Sequence, residues 1–223
     1  MTRWSTPLEI VRRAVAREDC TIFDVGANVG NMTELYRVMF GQPTIHAFEP
    51  QPEIFAELER RVGALDGVTL NRLALGERIG SAIFYQNSDP ATSSLLPLRA
   101  ESSWAQELKL TPRAEIEVPV DTIDHYCATH GIGSIDLVKL DIQGFEPDCL
   151  RGAADMLRRQ AIRVIQAEII THRKYRRRTT FLDVESILAP CGYRLYSVID
   201  VIGNARGELL VLDALYVLEA EFP

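Results

Sequence analysis

Short apolar runs of strand length alternate with segments of helical periodicity along most of the chain. Runs rich in Val, Ile, Leu and Phe predict strands, and apolar positions three and four residues apart predict the helices between them. The predicted strands are 21–25, 44–48, 68–73, 81–86, 116–120, 136–142, 162–170, 193–199 and 209–218. The predicted helices are 31–40, 52–62, 122–129, 146–159 and 181–189, with a further amphipathic helix in residues 1–20. Strands that alternate with helices predict right-handed βαβ units and a mostly parallel sheet.

Two segments depart from this alternation. Gly203, Asn204 and Gly207 lie between the last two strands and predict a hairpin, which places one antiparallel strand at an edge of the sheet. Residues 87–113 are polar and contain three prolines, which predicts a long loop and a candidate lid over a substrate. Because no low-complexity tract divides the chain, we expect a single domain over residues 1–223.

Composition narrows the functional classes. The chain is 47% hydrophobic, enough for one substantial core, and its net charge of −7 disfavours general nucleic-acid binding, which needs a basic face. The four cysteines are widely spaced without a CxxC pair, which predicts reduced thiols. No apolar run reaches the roughly 18 residues of a membrane span, and the first residues lack the apolar stretch of a secretory signal. We therefore expect a cytoplasmic protein that is not embedded in a membrane.

The residues that end the predicted strands form a candidate ligand site. In an open α/β sheet, ligands bind beyond the carboxyl ends of the strands. Asp24 ends the first strand, and Gly26 and Gly30 allow a tight turn with close approach to a ligand at the start of the next helix. Glu49 ends the second strand and can accept both hydroxyls of a ribose. Asp141 ends a later strand, so we expect it at the same edge.

The spacing in this first loop bears on which ligand it suits. A dinucleotide-binding loop has the pattern GxGxxG, and here Asn28 and Asn31 occupy the second and third glycine positions counted from Gly26. The loop is therefore less suited to binding a pyrophosphate. A smaller ligand with an amino-acid end and a nucleoside end, such as S-adenosylmethionine (SAM), fits better. An NAD-linked oxidoreductase and a non-catalytic SAM-binding or interaction domain stay open as alternatives.

Five segments, in their order and spacing, resemble the FkbM-type methyltransferases. They are FDVGANVGN, HAFEP, Ser93-Ser94-Leu95, VDTID at 120–124 and DLVKLDIQGFEPDCLRGA at 136–153, and the resemblance spans roughly residues 21–171. It implies the class I, Rossmann-like fold of SAM-dependent methyltransferases, a doubly wound α/β domain with a mostly parallel seven-stranded sheet and one antiparallel strand. It also implies O-methylation of a hydroxyl on a small natural product or sugar.

The resemblance assigns roles to particular residues. It implies that Asp24, Gly26, Asn28 and Gly30 surround the methionine part of SAM, that Glu49 holds the ribose, and that Asn71 and Ala74 lie near the adenine. One departure concerns Gln143, which stands where the family commonly has a glutamate. The amide removes a negative charge and puts any role of that glutamate as base or metal ligand in doubt.

Transfer to a hydroxyl needs a proton acceptor, and three candidates end strands on the expected side. His172 titrates in a suitable range but can equally be a solvated loop histidine. Glu168 lies in an apolar strand, where a lone carboxylate is costly, and Asp141 can contact the donor, orient the acceptor or cap the next helix. Together the three could hold a divalent metal, although no dedicated ligand spacing supports this and we predict no metal site. Lys139 could pair with Asp141 or Glu168.

Two further features concern partners. The basic run 172–178 is typical of a solvated loop, with recognition of a phosphate or carboxylate on the acceptor as the alternative. The apolar strand 209–218 could lie inside the sheet or carry a homodimer interface. We expect a hydroxylated small molecule as the second substrate.

Overall fold

The computed structural model describes residues 6–177 and 179–221, which form two sheets and their flanking helices. The strands are β1 Thr21–Val25, β2 Thr44–Phe48, β3 Val68–Asn71, β4 Ala74–Leu75, β5 Gly80–Asn87, β6 Pro112–Asp121, β7 Ile135–Leu140, β8 Ile162–Ile170, β9 Tyr193–Gly203 and β10 Leu209–Leu218. The α-helices are α1 Pro7–Val15, α2 Asn31–Met39, α3 Pro52–Val62, α4 Ser103–Glu107, α5 Ile123–His130, α6 Glu146–Arg151, α7 Ala154–Arg158 and α8 Phe181–Leu188. Short 3-10 turns occupy Pro90–Thr92, Ala189–Cys191 and Glu219–Glu221.

The main sheet has seven strands in the order β3-β2-β1-β7-β8-β10-β9. β10 is antiparallel to both of its neighbours, and the other pairs are parallel, so the predicted doubly wound sheet and closing hairpin are confirmed. The strand order reverses between β1 and β7, which opens a crevice at their carboxyl ends. The register pairs Asp24 with Lys139 and Val25 with Leu140, and it brings the loop after β1 beside Asp141.

Apolar side chains fill both faces of this sheet. Neighbouring residues on a strand enter different clusters, as Ile22 and Phe23 do on β1 and Leu137 and Val138 do on β7. This follows from the alternation of side chains along a strand. Burial on both faces explains why the central strands have nearly continuous apolar sequences.

The segment predicted as a long loop at 87–113 connects β5, which ends at Asn87, to β6, which begins at Pro112, and it is anchored along its length. Its interior contains α4 and a 3-10 turn. Backbone hydrogen bonds join it to the chain after β8: Arg99 N–H donates to Lys174 O at 2.9 Å, and Arg176 N–H donates to Pro97 O at 3.0 Å. An apolar cluster packs the two segments together; it contains Leu96, Leu98, Ala105, Leu110, Ile170, Tyr175, Leu210 and Val211. The segment is therefore a packed wall.

The helix predicted at 146–159 is divided into α6 and α7. Asp124, on α5, caps the second piece: its carboxylate accepts from Asp155 N–H at 2.8 Å and from Met156 N–H at 3.0 Å. At the break, a Cβ on Gly152 would lie 1.9 Å from the carbonyl oxygen of Gly76, so only glycine allows this approach. The periodicity of the sequence could not reveal the break because both partners are distant along the chain.

The remaining predictions concern the N-terminal helix, the absence of a membrane span and the state of the cysteines. The predicted N-terminal helix is observed as α1, and residues 1–5 lie outside the described residues. Among the described helices, none combines the length and the apolar character that crossing a membrane requires. All four cysteines are free thiols, as predicted.

Candidate functional site

A cavity of about 370 Å³ opens at the carboxyl ends of β1, β2 and β7. Its walls include six residues that the sequence analysis singled out: Gly26, Asn28, Glu49, Ala74, Asp141 and Glu168. The packed wall contributes Pro90, Ala91, Ser93 and Leu95. The cavity therefore lies at the switch point of the sheet, where the strand order predicted a ligand site.

Two of the residues predicted to cradle the ligand act behind the cavity wall. Asp24 is fully buried; its Oδ2 accepts a hydrogen bond from Thr33 on α2 at 2.7 Å, and its Oδ1 lies 3.4 Å from Lys139 Nζ. Gly30 has a positive φ of 89°, and a Cβ there would lie 2.9 Å from Leu58 on α3. Both residues therefore fix the start of α2, and neither lines the cavity.

Glu49 lies in the cavity wall beside the loop after β1. One carboxylate oxygen accepts from Asn28 N–H at 3.1 Å, and the other accepts from Gln51 N–H at 2.9 Å. Burial raises the pKa of Glu49 to about 7, although these hydrogen bonds oppose the shift. The remaining lone pairs of the carboxylate can accept hydrogen bonds from vicinal hydroxyls of a ligand.

The segment predicted to lie near an adenine is divided between cavity and interior. Ala74 and its neighbours Leu73 and Leu75 line the cavity. Asn71 does not: its amide donates to Ala47 O at 3.3 Å, and its Oδ1 accepts from Tyr126 O–H at 3.1 Å. Asn71 thus joins β2 to α5, and a contact between its side chain and a ligand is not supported.

Asp141, directly after β7, and Glu168, on β8, both line the cavity, and Gln143 joins them. The Gln143 amide donates to Asp141 Oδ1 at 3.0 Å and to Glu168 Oε2 at 2.7 Å. Lys139 Nζ lies 3.3 Å from Asp141 Oδ2. The expected ion pair of Lys139 is therefore with Asp141, and Asp24 is a second partner.

The two carboxyl groups have opposite electrostatic environments. Burial, and then the charges of Asp141 and Glu146, raise the pKa of Glu168 well above its ordinary value. Burial also disfavours ionisation of Asp141, but Lys139 and the Gln143 amide outweigh it and lower the pKa of Asp141. Asp141 is therefore the more acidic group of the pair, and Glu168 is the more basic one.

Sequence reasoning missed two residues of this cluster, Lys174 and Tyr175. Both lie in the basic run 172–178, yet both are buried. Lys174 Nζ donates to the side-chain oxygen of Gln143, and the Tyr175 hydroxyl lies 3.0 Å from that oxygen and 2.6 Å from Thr92 O, so the two oxygens compete for its proton. The only signal was the aromatic residue that interrupts the charges. The Arg177 guanidinium forms an ion pair with Asp148. Arg178 lies outside the described residues.

His172 does not line the cavity. Its Nδ1 is 2.9 Å from Leu210 O, its ring packs on Trp104 with 4.8 Å between centroids, and burial lowers its pKa. The strand-end position predicted a loop that faces the substrate, but the ring packs into the wall formed by residues 87–113. Within the described ranges, no three His, Cys, Asp or Glu residues are grouped to hold a metal, so the alternative of a metal at Asp141, Glu168 and His172 does not fit.

Glu146 is a fully buried carboxylate beneath the loop that carries Gln143. Its Oε1 accepts from Ile142 N–H at 3.0 Å and from Gly144 N–H at 3.2 Å, and burial raises its pKa to about 7. In the unfolded chain the group ionises near 4.5, so the unfolded state releases its proton first as pH rises. Stability associated with this group is therefore present below about pH 4.5 and is lost as pH rises through about 7.

The Glu146→Gln variant should be more stable than the parent protein at pH 8 and nearly equal to it at pH 5. The neutral amide removes the ionisation cost, at most about 3 kcal/mol, and keeps an oxygen for the two N–H donors. Urea unfolding at both pH values measures the difference, with Glu115→Gln on the exposed face of β6 as the control. A variant that is equally or less stable at pH 8 would contradict this account.

Comparison with solved structures identifies the class of fold. A magnesium protoporphyrin IX methyltransferase from Synechocystis PCC 6803 with bound SAM aligns at a TM-score of 0.50 and 12% identity, over 94% of this chain and 77% of that one. A 1,6-didemethyltoxoflavin-N1-methyltransferase from Burkholderia thailandensis aligns at 0.51 and 12% identity, over 95% and 76%. The molecule has the class I methyltransferase fold.

The sequence then gives the family. Residues 24–195 match the model of the methyltransferase FkbM domain, and the chain belongs to that family. A 2-O-methyltransferase, NoeI, from Sinorhizobium fredii is 26% identical over 69% of this chain and 66% of its own length. Methyltransferase 1 from Beauveria bassiana is 29% identical over 62% of this chain and 60% of its own length. The chain spans somewhat less than two thirds of these relatives.

Proposed function

We propose that the chain is a SAM-dependent O-methyltransferase acting on a hydroxyl of a small natural product or sugar. The observation that carries the proposal is a cavity whose wall contains both a ribose-type acceptor, Glu49 after β2, and the Asp141–Glu168 pair of β7 and β8, which β1 separates from β2 in the sheet. Family membership favours methyl transfer over the NAD-linked alternative.

The residues present fit SAM. Three acidic side chains line the cavity and only one lysine does, so the lining favours a cationic ligand. When bound, SAM supplies a methyl group already activated by a positively charged sulfur. Glu49 would accept the ribose hydroxyls, the loop at Gly26 and Asn28 would hold the amino-acid end, and Asp141 would face the cation.

Two observations support oxygen as the acceptor atom: a basic carboxylate in the cavity and the name of a relative. A neutral hydroxyl becomes a sufficient nucleophile only if its proton is taken up as the new carbon–oxygen bond forms. Glu168 lines the cavity with a raised pKa, and its carboxylate would receive that proton. NoeI is named a 2-O-methyltransferase, whereas the Burkholderia protein of the same fold is an N1-methyltransferase, so the fold does not choose the acceptor atom.

The same lining argues for an uncharged acceptor. Asp141 and Glu168 would repel a phosphate or carboxylate placed beside them. The basic run offers little compensation, because Lys174 and Arg177 are committed to Gln143 and Asp148. Among the described residues of that run, Arg173, Arg176 and Arg177 are exposed, and Arg177 is already paired with Asp148. A neutral polyhydroxylated acceptor therefore fits better than an anionic one.

Calorimetric titration tests the cofactor assignment. We expect SAM to bind at about micromolar strength, NAD not to bind, and Glu49→Ala to weaken SAM at least about tenfold, because the ribose loses its acceptor. Glu53→Ala, on the exposed side of α3, is the control and should bind SAM like the parent protein. Binding of NAD in preference to SAM, or SAM binding unchanged in Glu49→Ala, would overturn the assignment.

A further inference from the structure

The carboxamide of Gln143 uses all of its hydrogen-bonding capacity within the protein. Its two N–H groups donate to Asp141 and Glu168, and its oxygen accepts from Lys174 Nζ. The Tyr175 hydroxyl lies 3.0 Å from the same oxygen, and its single proton is shared with Thr92 O at 2.6 Å. The side chain is 8% exposed, and its backbone has a φ of 57°, a conformation that non-glycine residues adopt with strain. The surrounding structure therefore holds this amide in one place.

The partners also determine which way the amide faces. Ionised carboxylates only accept hydrogen bonds, and an ammonium group only donates them. Because carboxylates lie on one side of Gln143 and the cation and phenol lie on the other, a flipped amide would lose these contacts. A glutamate at this position would bring a third negative charge to within hydrogen-bonding distance of Glu168.

Lys174 is buried at 3% exposure with few polar partners. Its Nζ lies 4.3 Å from the ring centroid of Trp104 and 5.3 Å from that of Tyr175, and its hydrogen bond goes to Gln143. Burial lowers the pKa of Lys174 to about 8, although Glu168 and Asp141 oppose the shift. A buried ammonium is costly, and this one is separated from the Glu168 carboxylate by a single amide.

We propose that Lys174 and Gln143 are positioning residues that orient the Glu168 carboxylate toward the cavity and favour its ionised form, so that it can take the proton of the acceptor. The Gln143 amide fixes the position of Glu168 Oε2, and the Lys174 ammonium offsets the negative charge. This role rests on the proposed function, since it is useful only if Glu168 acts as a base.

The charges that face Glu168 explain why a cation is needed. Asp141 at the end of β7, Glu146 on α6 and Asp213 on β10 all raise the pKa of Glu168, and Lys174 lowers it. Asp213 is the direct register partner of Glu168 across the antiparallel pair. Burial and three acids already favour the protonated form, which cannot accept a proton, and loss of the ammonium would favour it further.

Carbon-13 NMR of protein labelled at its glutamate carboxyl groups measures the pH titration of Glu168 and needs no acceptor substrate. The Glu168 signal is assigned by its loss in Glu168→Gln. In Lys174→Met, the Glu168 titration should move to higher pH by about one unit or more. The acidic limb of the pH profile of kcat/KM should move with it, while the KM for SAM stays the same. Arg173→Met, at the exposed neighbouring position, is the control and should titrate like the parent protein.

A second variant covers the case in which Lys174→Met does not fold. Gln143→Glu keeps the size of the side chain, adds a negative charge and removes the donor to Glu168, so it should also raise the pH at which Glu168 titrates. Unchanged titration of Glu168 in the folded variants overturns the positioning role even if SAM binds and methyl transfer occurs. If the parent protein binds no SAM, the proposed function fails separately, and the titration still reports on Lys174.

Discussion

Replacing Glu168 by glutamine is expected to slow methyl transfer by about 10²- to 10⁴-fold, the usual contribution of a positioned general base. The amide retains an oxygen that can accept the hydrogen bond from Gln143, so the cluster should keep its geometry. Affinity for SAM should change little, because the ribose and amino-acid ends are held elsewhere. Single-turnover rates with a hydroxylated acceptor, together with calorimetry for SAM, separate the two effects.

Asp213→Asn is the matched control for this experiment. Asp213 lies directly opposite Glu168 on β10, its carboxylate accepts from Gln166 at 2.7 Å, and it does not line the cavity. At a pH above the titration of Glu168, this control should retain the parent rate to within a few-fold. Because Asp213 raises the pKa of Glu168, its removal should also move the acidic limb of the pH profile to lower pH. A Glu168→Gln variant that is as active as Asp213→Asn would exclude Glu168 as the base and return attention to Asp141.

The second large effect is expected for Gly26→Ala, in the turn after β1. Gly26 has a φ of 78°, and a Cβ there would lie 2.0 Å from the carbonyl oxygen of Asp141. That oxygen belongs to the backbone and cannot turn away, so the loops after β1 and β7 must separate. We expect a loss of about 3 kcal/mol or more in the free energy of unfolding, with loss of SAM binding in the protein that remains folded.

Gly207→Ala separates the cost of the positive φ from the cost of the steric contact with Asp141. Gly207 also has a φ of 78°, in the turn between β9 and β10, but a Cβ there would meet nothing within 4 Å. It should therefore show only the cost of the positive φ, about 1 kcal/mol. Urea unfolding of both variants measures the difference, and equal losses would show that the approach to Asp141 is not what requires glycine.

Two acidic residues near the carboxyl ends of neighbouring strands, Asp24 and Glu49, have different roles in the structure although their positions in the sequence are alike. Asp24 and Glu49 both end strands of the same edge, yet Asp24 is enclosed by Thr33 and Lys139, whereas Glu49 faces the cavity. The register of β1 against β7 decides this, because it pairs Asp24 directly with Lys139. A variant of Asp24 should therefore affect folding as well as any ligand.

The sequence by itself determined the class of fold and the location of the site. Alternating strands and helices fixed a doubly wound sheet, since each apolar run must be buried on both faces, and the carboxyl ends of parallel strands necessarily share an edge. Gly26, Glu49 and Asp141 could be singled out for that reason. The ordered motifs placed the chain among the FkbM-type methyltransferases before any contact was known.

Only the tertiary structure decided which polar side chains meet. His172 and Lys174 are two residues apart in one basic run, but the packing of that run against α4 turns the His172 ring onto Trp104 and the Lys174 ammonium to Gln143. Periodicity reports how residues alternate along one element. It carries no information on how two irregular segments pack together, and here that packing determines the surroundings of Glu168.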